Sequence, residues 1–193
     1  MSPAPRLRLA QDEKADGLLE RDPFALVVGM LLDQQIPMEW AFTGPATIAA
    51  RMGTENLDPA LIASCDPEEF VALMTGPPAV HRYPRSMGAR VQKLAGYVVE
   101  RYDGDISRLW TEALSGVELR RRLGELPGYG DQKARIFVAL LGKQLGVQPE
   151  GWREAAGAYG EDGSRRSVAD VVDAESLAEV RQYKREVKQA PKG

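Results

Sequence analysis

Apolar residues recur along this chain three and four positions apart, and runs of Val, Ile or Thr alternating with polar residues are absent, so the pattern predicts helices and few strands. Asp22-Pro23 reads as a helix start, aspartate as cap and proline in the first turn. That helix carries Phe24, Leu26, Val27, Met30 and Leu31 and stops before Pro37. Thr43-Gly-Pro45 opens another, through Ile48 and Met52. Asp58-Pro59 and Asp66-Pro67 repeat the start signal for short helices holding Leu61 and Ile62, then Phe70 and Leu73. Gly76-Pro-Pro78 breaks the pattern. A helix through Met87, Val91, Leu94, Val98 and Tyr102 follows, ending at the turn Asp103-Gly104-Asp105. Trp110 and Leu114 fall on the next helix.

Leu126-Pro-Gly-Tyr-Gly-Asp-Gln-Lys-Ala134 then separates a helix holding Arg120, Arg121 and Leu123 from one holding Ile136, Phe137, Leu140 and Leu141. Pro127-Gly128 stops the first helix, and Gly128 and Gly130 permit backbone angles closed to other residues. Glycines this close to a helix start leave amide N–H groups bare, which suits a phosphate oxygen. Lys133, in the first turn, is unfavourable for the helix itself, and a nearby phosphate would offset that cost. An ordinary interhelical turn fits the same spacing. Beyond Leu141, glycines make residues 142–166 loop-rich, Ser167-Val-Ala-Asp170 resembles a capping box, and a basic helix spans about Ser176 to Val187 before a loose tail.

Composition narrows the class. With 193 residues, 44% hydrophobic and 27% charged, the chain fits a globular protein with a real core. No apolar run reaches a membrane span, Ala25 to Leu32 being the best, and Met1-Ser-Pro-Ala-Pro-Arg6 lacks a signal-peptide core. The single cysteine, Cys65, excludes an internal disulfide and a four-cysteine iron–sulfur cluster and suits a cytoplasmic setting; it reads as a small buried hydrophobe. A net charge of −3 argues against nucleic-acid binding by bulk charge but leaves room for a local basic face. His81, Arg82, Arg85, Arg90 and Lys93, with Tyr83 among them, form one candidate, and Arg120, Arg121, Arg122, Lys133 and Arg135 another; both also read as solvated helix faces. His81, the sole histidine, lacks partners for zinc or for a Ser-His pair, and Trp40 and Trp110 read as core.

The string L-P-G-x-G-x-x-K-A before an apolar helix resembles the helix-hairpin-helix of the HhH-GPD superfamily of base-excision DNA glycosylases, the endonuclease III, MutY and AlkA relatives. Leu31-Leu-Asp-Gln-Gln-Ile-Pro-Met38 is similar to that family's L-L-x-x-Q segment, and Tyr83 to Leu94 to its central helix. The resemblance covers roughly residues 20–150. It implies an all-α fold of two helical lobes, with the hairpin (120–141) at their boundary: one lobe continuous over 22–136, the other built from 1–21 and 137–193. It gives Gly128, Gly130 and Lys133 a phosphate-gripping role, with Tyr129 at the hairpin tip and Gln132 beside it, and it allows a monovalent cation on the hairpin's carbonyls. Gln35, with Gln34, matches the glutamine that fills the gap left by a flipped base; the alternative is that both amides cap the helix end. Arg82 and Arg85 would add backbone contacts.

Departures from the family set the expected chemistry. Bifunctional members carry a lysine where this chain has Gln132, which cannot form a Schiff base, and Lys133 points about 100° away on the helix, so no lyase activity is expected. The family's catalytic aspartate is missing, since no aspartate lies between Asp131 and Asp162. Glu150, 18 positions after Gln132, is the candidate for stabilising the sugar cation and activating water, with Glu154 the runner-up; a helix-start acid is the plain alternative. Trp152 could stack a flipped base or anchor the core. The expectation is therefore a monomeric, cofactor-free, monofunctional glycosylase acting on double-stranded DNA, alkylated purines being the easier leaving groups. A catalytically inactive lesion-binding protein on the same scaffold and a protein-interaction module are the alternatives.

Overall fold

The computed structural model describes residues 6–191, and every regular element among them is helical. Met1–Pro5, most of the segment read for a signal, and residues 192–193 of the tail lie outside the described residues. No described helix is long and apolar enough to cross a membrane. The helices are α1 (Glu13–Arg21), α2 (Pro23–Leu32), α3 (Met38–Met52), α4 (Pro59–Ser64), α5 (Pro67–Thr75), α6 (Pro84–Tyr102), α7 (Arg108–Thr111), α8 (Gly116–Gly124), α9 (Asp131–Gln144), α10 (Trp152–Ala156) and α11 (Ala174–Gln189). Short 3-10 turns, Gly157–Gly160 and Val168–Asp170, stand between the last two.

The Asp-Pro starts work as their chemistry dictates. Asp22, Asp58 and Asp66 each accept amide N–H groups from the first turn, with proline as the first helical residue. Asp22 also takes the Leu57 N–H at 2.8 Å, which ties the start of α2 to the approach to α4.

Helix α2 is buried from Phe24 to Leu32, and α3 lies across it. The crossing is close because glycines face large side chains. A Cβ on Gly29 would stand 2.7 Å from Phe42, and one on Gly44 2.6 Å from Leu32. Gly44 is therefore a packing residue within the helix, and the expected start at Thr43-Gly-Pro45 falls inside α3, which begins at Met38. Pro45 costs one intrahelical bond there. The Thr43 hydroxyl donates to the Glu39 carbonyl at 2.6 Å in the same stretch.

The central helix α6 buries Met87, Val91, Leu94, Ala95 and Val98 against α2, α4 and α5. Helix α1 packs on α2 and α3, while α9 packs on α8, α10 and the two 3-10 turns. The expected boundary at residue 136 does not coincide with any break, because α9 is one helix through that point. Leu114 is 88% exposed and α7 ends at Thr111, so the helix expected to carry both Trp110 and Leu114 is shorter than its pattern. Trp110 is buried, but Trp40 is about one-third exposed, with its indole N–H on the Ala79 carbonyl. Cys65 is only half-buried, as the C-cap of α4. The capping box sits at Asp173–Ser176 rather than Ser167–Asp170, because the Asp170 carboxylate pairs with Lys143 and the Arg166 N–H.

Candidate nucleic-acid interface

The end of α2 and the start of α9 meet at the hairpin. A helix end leaves its last carbonyls without intrahelical partners, and burial makes such orphans costly. Here each is supplied. The Asp33 N–H reaches the Gly29 and Met30 carbonyls. The Lys133 ammonium donates to Met30 at 2.6 Å and Leu31 at 3.3 Å. The Gln34 side-chain amide donates to Leu31, and the Gln34 backbone N–H to Leu32. The His81 ring closes the set. Its Nδ1 accepts the Tyr83 N–H, so Nε2 carries the proton and donates toward Leu32 and Gln34 carbonyls at 3.1 and 3.0 Å.

The hairpin is docked on this helix end. Gly128 has φ +84°, and a Cβ there would meet Leu31 at 2.4 Å. The Tyr129 hydroxyl donates to the Val27 carbonyl at 2.6 Å, and its ring stands edge-on to Phe137. Burial pushes the Tyr129 phenol well above its ordinary pKa.

Several expected roles are corrected by these positions. Tyr129 is a buried strut rather than a surface contact, because its hydroxyl has an acceptor inside the fold. Lys133 turns inward onto the Met30 and Leu31 carbonyl oxygens. Burial lowers its pKa to about 8, while Asp33 pulls it upward. His81 is fully buried and so stands outside any basic face; burial lowers its pKa. Gln34 caps α2, the alternative left open for it, and its Oε1 faces Arg90 at 3.4 Å.

The start of α9 is built differently. Gly130 is the N-cap residue, no side chain caps the helix, and a Cβ on Gly130 would meet nothing within 4 Å. Asp131 is held between Arg120 and Arg135, which keep its carboxyl below the usual range. Gln132 donates from its side-chain amide to the Tyr159 hydroxyl at 2.9 Å. Tyr159 carried no signal in the sequence, since it lies in the glycine-rich stretch after α10.

Gln35 is exposed in the α2–α3 loop with φ +60°, a left-handed backbone that is unfavourable for a residue with a side chain. Arg82 is exposed over the Tyr83 ring. Arg85 is exposed too, but Glu68 takes its guanidinium through both carboxylate oxygens.

Glu150 is not brought to the hairpin tip. Its carbonyl accepts the Gly116 N–H at the first residue of α8, whereas the hairpin follows the last, about 12 Å further along that helix. Its neighbour Trp152 is buried on Gly142, near the far end of α9, where a Cβ would stand 2.3 Å from the indole. Trp152 is thus the core anchor of its two readings. Glu150 and Glu154 are both exposed, and α10 then runs back so that Gly157 comes beside Arg135 and Tyr159 reaches Gln132. Glu150 therefore stands beyond the C-terminal end of α9, whereas Gln132 stands in its first turn. No cluster of three or more His, Cys, Asp or Glu residues suited to a metal occurs among the described residues. No family model, no curated protein and no solved structure matches this chain.

Proposed function

We propose that this protein binds duplex DNA through the hairpin and the α2–α3 loop and acts on it as a monofunctional DNA glycosylase, flipping a damaged base and hydrolysing its bond to the sugar without cutting the strand. The observation that carries this reading is the start of α9. Its uncapped amides and the open space at Gly130 leave room for a phosphate to approach the backbone, with the helix dipole favouring the anion. Gln35 stands out from the neighbouring loop in a strained conformation, which suits a side chain entering the base stack. Arg82, Lys93 and Arg90 are exposed on or beside α6, where they can attract the backbone despite the net negative charge. The mutual packing of α1 to α6, and of α8 to α10, fits lobes on either side of such a groove. Gln132 in place of an attacking lysine fits hydrolysis by water rather than a Schiff base.

A second reading, a lesion-binding protein without chemistry, is favoured by the lack of any aspartate between Asp131 and Asp162 and by the exposure of Glu150. Single-turnover base release from duplexes bearing methylated, deaminated or oxidised bases decides between the two. Release of free base with the strand left intact is expected. Tight, salt-sensitive binding without release from any duplex would establish the second reading, and absence of duplex binding would remove both.

A further inference from the structure

Asp33 follows the last residue of α2, its backbone pinned by N–H bonds to Gly29 and Met30. Its carboxylate differs from those of the protein's other inward-facing aspartates. Asp16 accepts the Ala10 N–H, Asp22 accepts Phe24 and Leu57, and Asp170 takes Lys143. Among the described residues, the Asp33 carboxylate accepts no hydrogen bond and closes no ion pair, although it is half-buried. It faces a cleft of about 240 Å3 between the α2–α3 junction and α11, with Ile36, Pro37 and Met38 on one side and Lys184 and Arg185 on the other. Gln34 and Gln35 are the next residues of the chain, and Lys133 approaches from the first turn of α9. The cleft therefore lies beside both the uncapped helix start and the strained glutamine.

We infer that this cleft is the reacting centre and that Asp33, rather than Glu150, is its catalytic carboxylate. The inference rests on the glycosylase reading and names the site at which it operates. A flipped base needs an apolar wall and a few polar groups, which Ile36, Pro37 and Met38 provide beside Asp33. The cleft is below the usual range for drug-sized ligands and suits a single base. Lys184 and Arg185 can face the phosphate of the flipped nucleotide.

The chemistry balances without any added reagent. For a base carrying a positive charge, the bond from C1′ to the base nitrogen breaks and its electron pair leaves with the base, which departs neutral. The sugar takes the positive charge, and the Asp33 carboxylate stabilises it across the cleft. A water oxygen bonds to C1′, and the water proton passes to Asp33 and on to solvent. Burial raises the Asp33 pKa, and Lys184 and Lys133 counter that rise, holding the carboxylate toward its charged form.

The test is single-turnover release from duplexes containing 7-methylguanine, hypoxanthine, uracil or 8-oxoguanine. It compares wild type, Asp33→Asn, Asp33→Glu, Ile36→Trp and Glu150→Gln, with duplex affinity and thermal melting measured for each. Asp33→Asn should lose about 100-fold or more in release rate while affinity and melting stay near wild type. Asp33→Glu should recover part of the rate, and Glu150→Gln should keep it. Ile36→Trp, which fills the cleft without touching the carboxylate, should block release and spare binding. Release by a folded Asp33→Asn at the wild-type rate would overturn the assignment and leave the glycosylase reading standing. Should Asp33→Asn fail to fold, unimpaired release by Ile36→Trp would overturn it equally. No release by wild type from any bound duplex would remove the glycosylase reading and this inference with it.

Discussion

Two helix ends meet at the hairpin, and they are finished in opposite ways. The C-terminal end of α2 has partners for its orphan carbonyls, drawn from residues as distant as His81 and Lys133. The N-terminal end of α9 has no side-chain cap, and the space around Gly130 is open. A fold that spends a buried histidine, a lysine and a glutamine on one helix end has satisfied that end for its own stability. The other end is left open to solvent. The contrast also separates the hairpin's glycines: Gly128 serves the protein, through its φ of +84° and its contact with Leu31, and nothing inside the protein requires Gly130 to lack a side chain.

The largest effects should come from the closed end. Gly128→Ala forces a Cβ into Leu31 and a side chain into left-handed backbone, and should cost about 2–4 kcal/mol in urea denaturation. Unchanged stability would mean that the hairpin is not docked on α2. His81→Ala leaves the Tyr83 N–H without its acceptor and opens a cavity, costing about 2–4 kcal/mol at neutral pH. The sign of its pH dependence follows from its lowered pKa. The neutral ring is favoured in the folded state, so its contribution is complete above the unfolded value near 6.5 and is lost as pH falls through the lower folded value. The stability gap between wild type and His81→Ala should therefore narrow on acidification. Because the chain has a single histidine, one imidazole resonance reports that titration directly, and a midpoint at or above 6.5 would contradict it.

Much of the closed end was legible in the sequence only as elements. The Asp-Pro starts, the span of α6 and the hairpin between two helices follow from local chemistry: an acceptor, a preset φ, a periodic apolar stripe. What those elements do to one another was not. Gly44 read as part of a helix start because a glycine beside a proline commonly marks an element boundary, and only the approach of Leu32 reveals its packing role. Lys133 took a phosphate-gripping role, and Tyr129 a place facing a partner helix or the DNA, from family resemblance, whereas their acceptors lie about a hundred positions away in sequence. Counting from Gln132 to Glu150 could not show at which end of α9 the chain turns back. Asp33 stood inside the L-L-D-Q-Q stretch, yet a carboxylate without partners can be recognised only when its surroundings are known.

Smaller effects sharpen the contrast. Tyr129→Phe removes one buried hydroxyl from the Val27 carbonyl and should cost about 1 kcal/mol, with DNA affinity unchanged in an anisotropy titration. A large loss of affinity would return Tyr129 to the DNA surface. Gln35→Gly relieves a left-handed residue and should raise stability by about 0.5–1 kcal/mol while weakening the preference for damaged over intact duplex. A stabilised variant with undiminished preference would leave the strain at Gln35 without a functional reading.

Gly130→Ala should do almost nothing to stability. Its φ of −99° is open to any residue, and no atom stands within 4 Å of the added methyl, so the change in denaturation should stay within about 0.5 kcal/mol. Duplex affinity should nonetheless fall, on the order of tenfold, because a methyl at that point holds a phosphate oxygen away from the amides of α9. The loss should shrink at high salt along with the rest of the backbone binding. A variant as stable as wild type but defective in binding would locate the DNA at the open helix end. Equal binding by both proteins would mean that the space around Gly130 is not where the backbone lies. The contrast between the two helix ends would then describe packing alone.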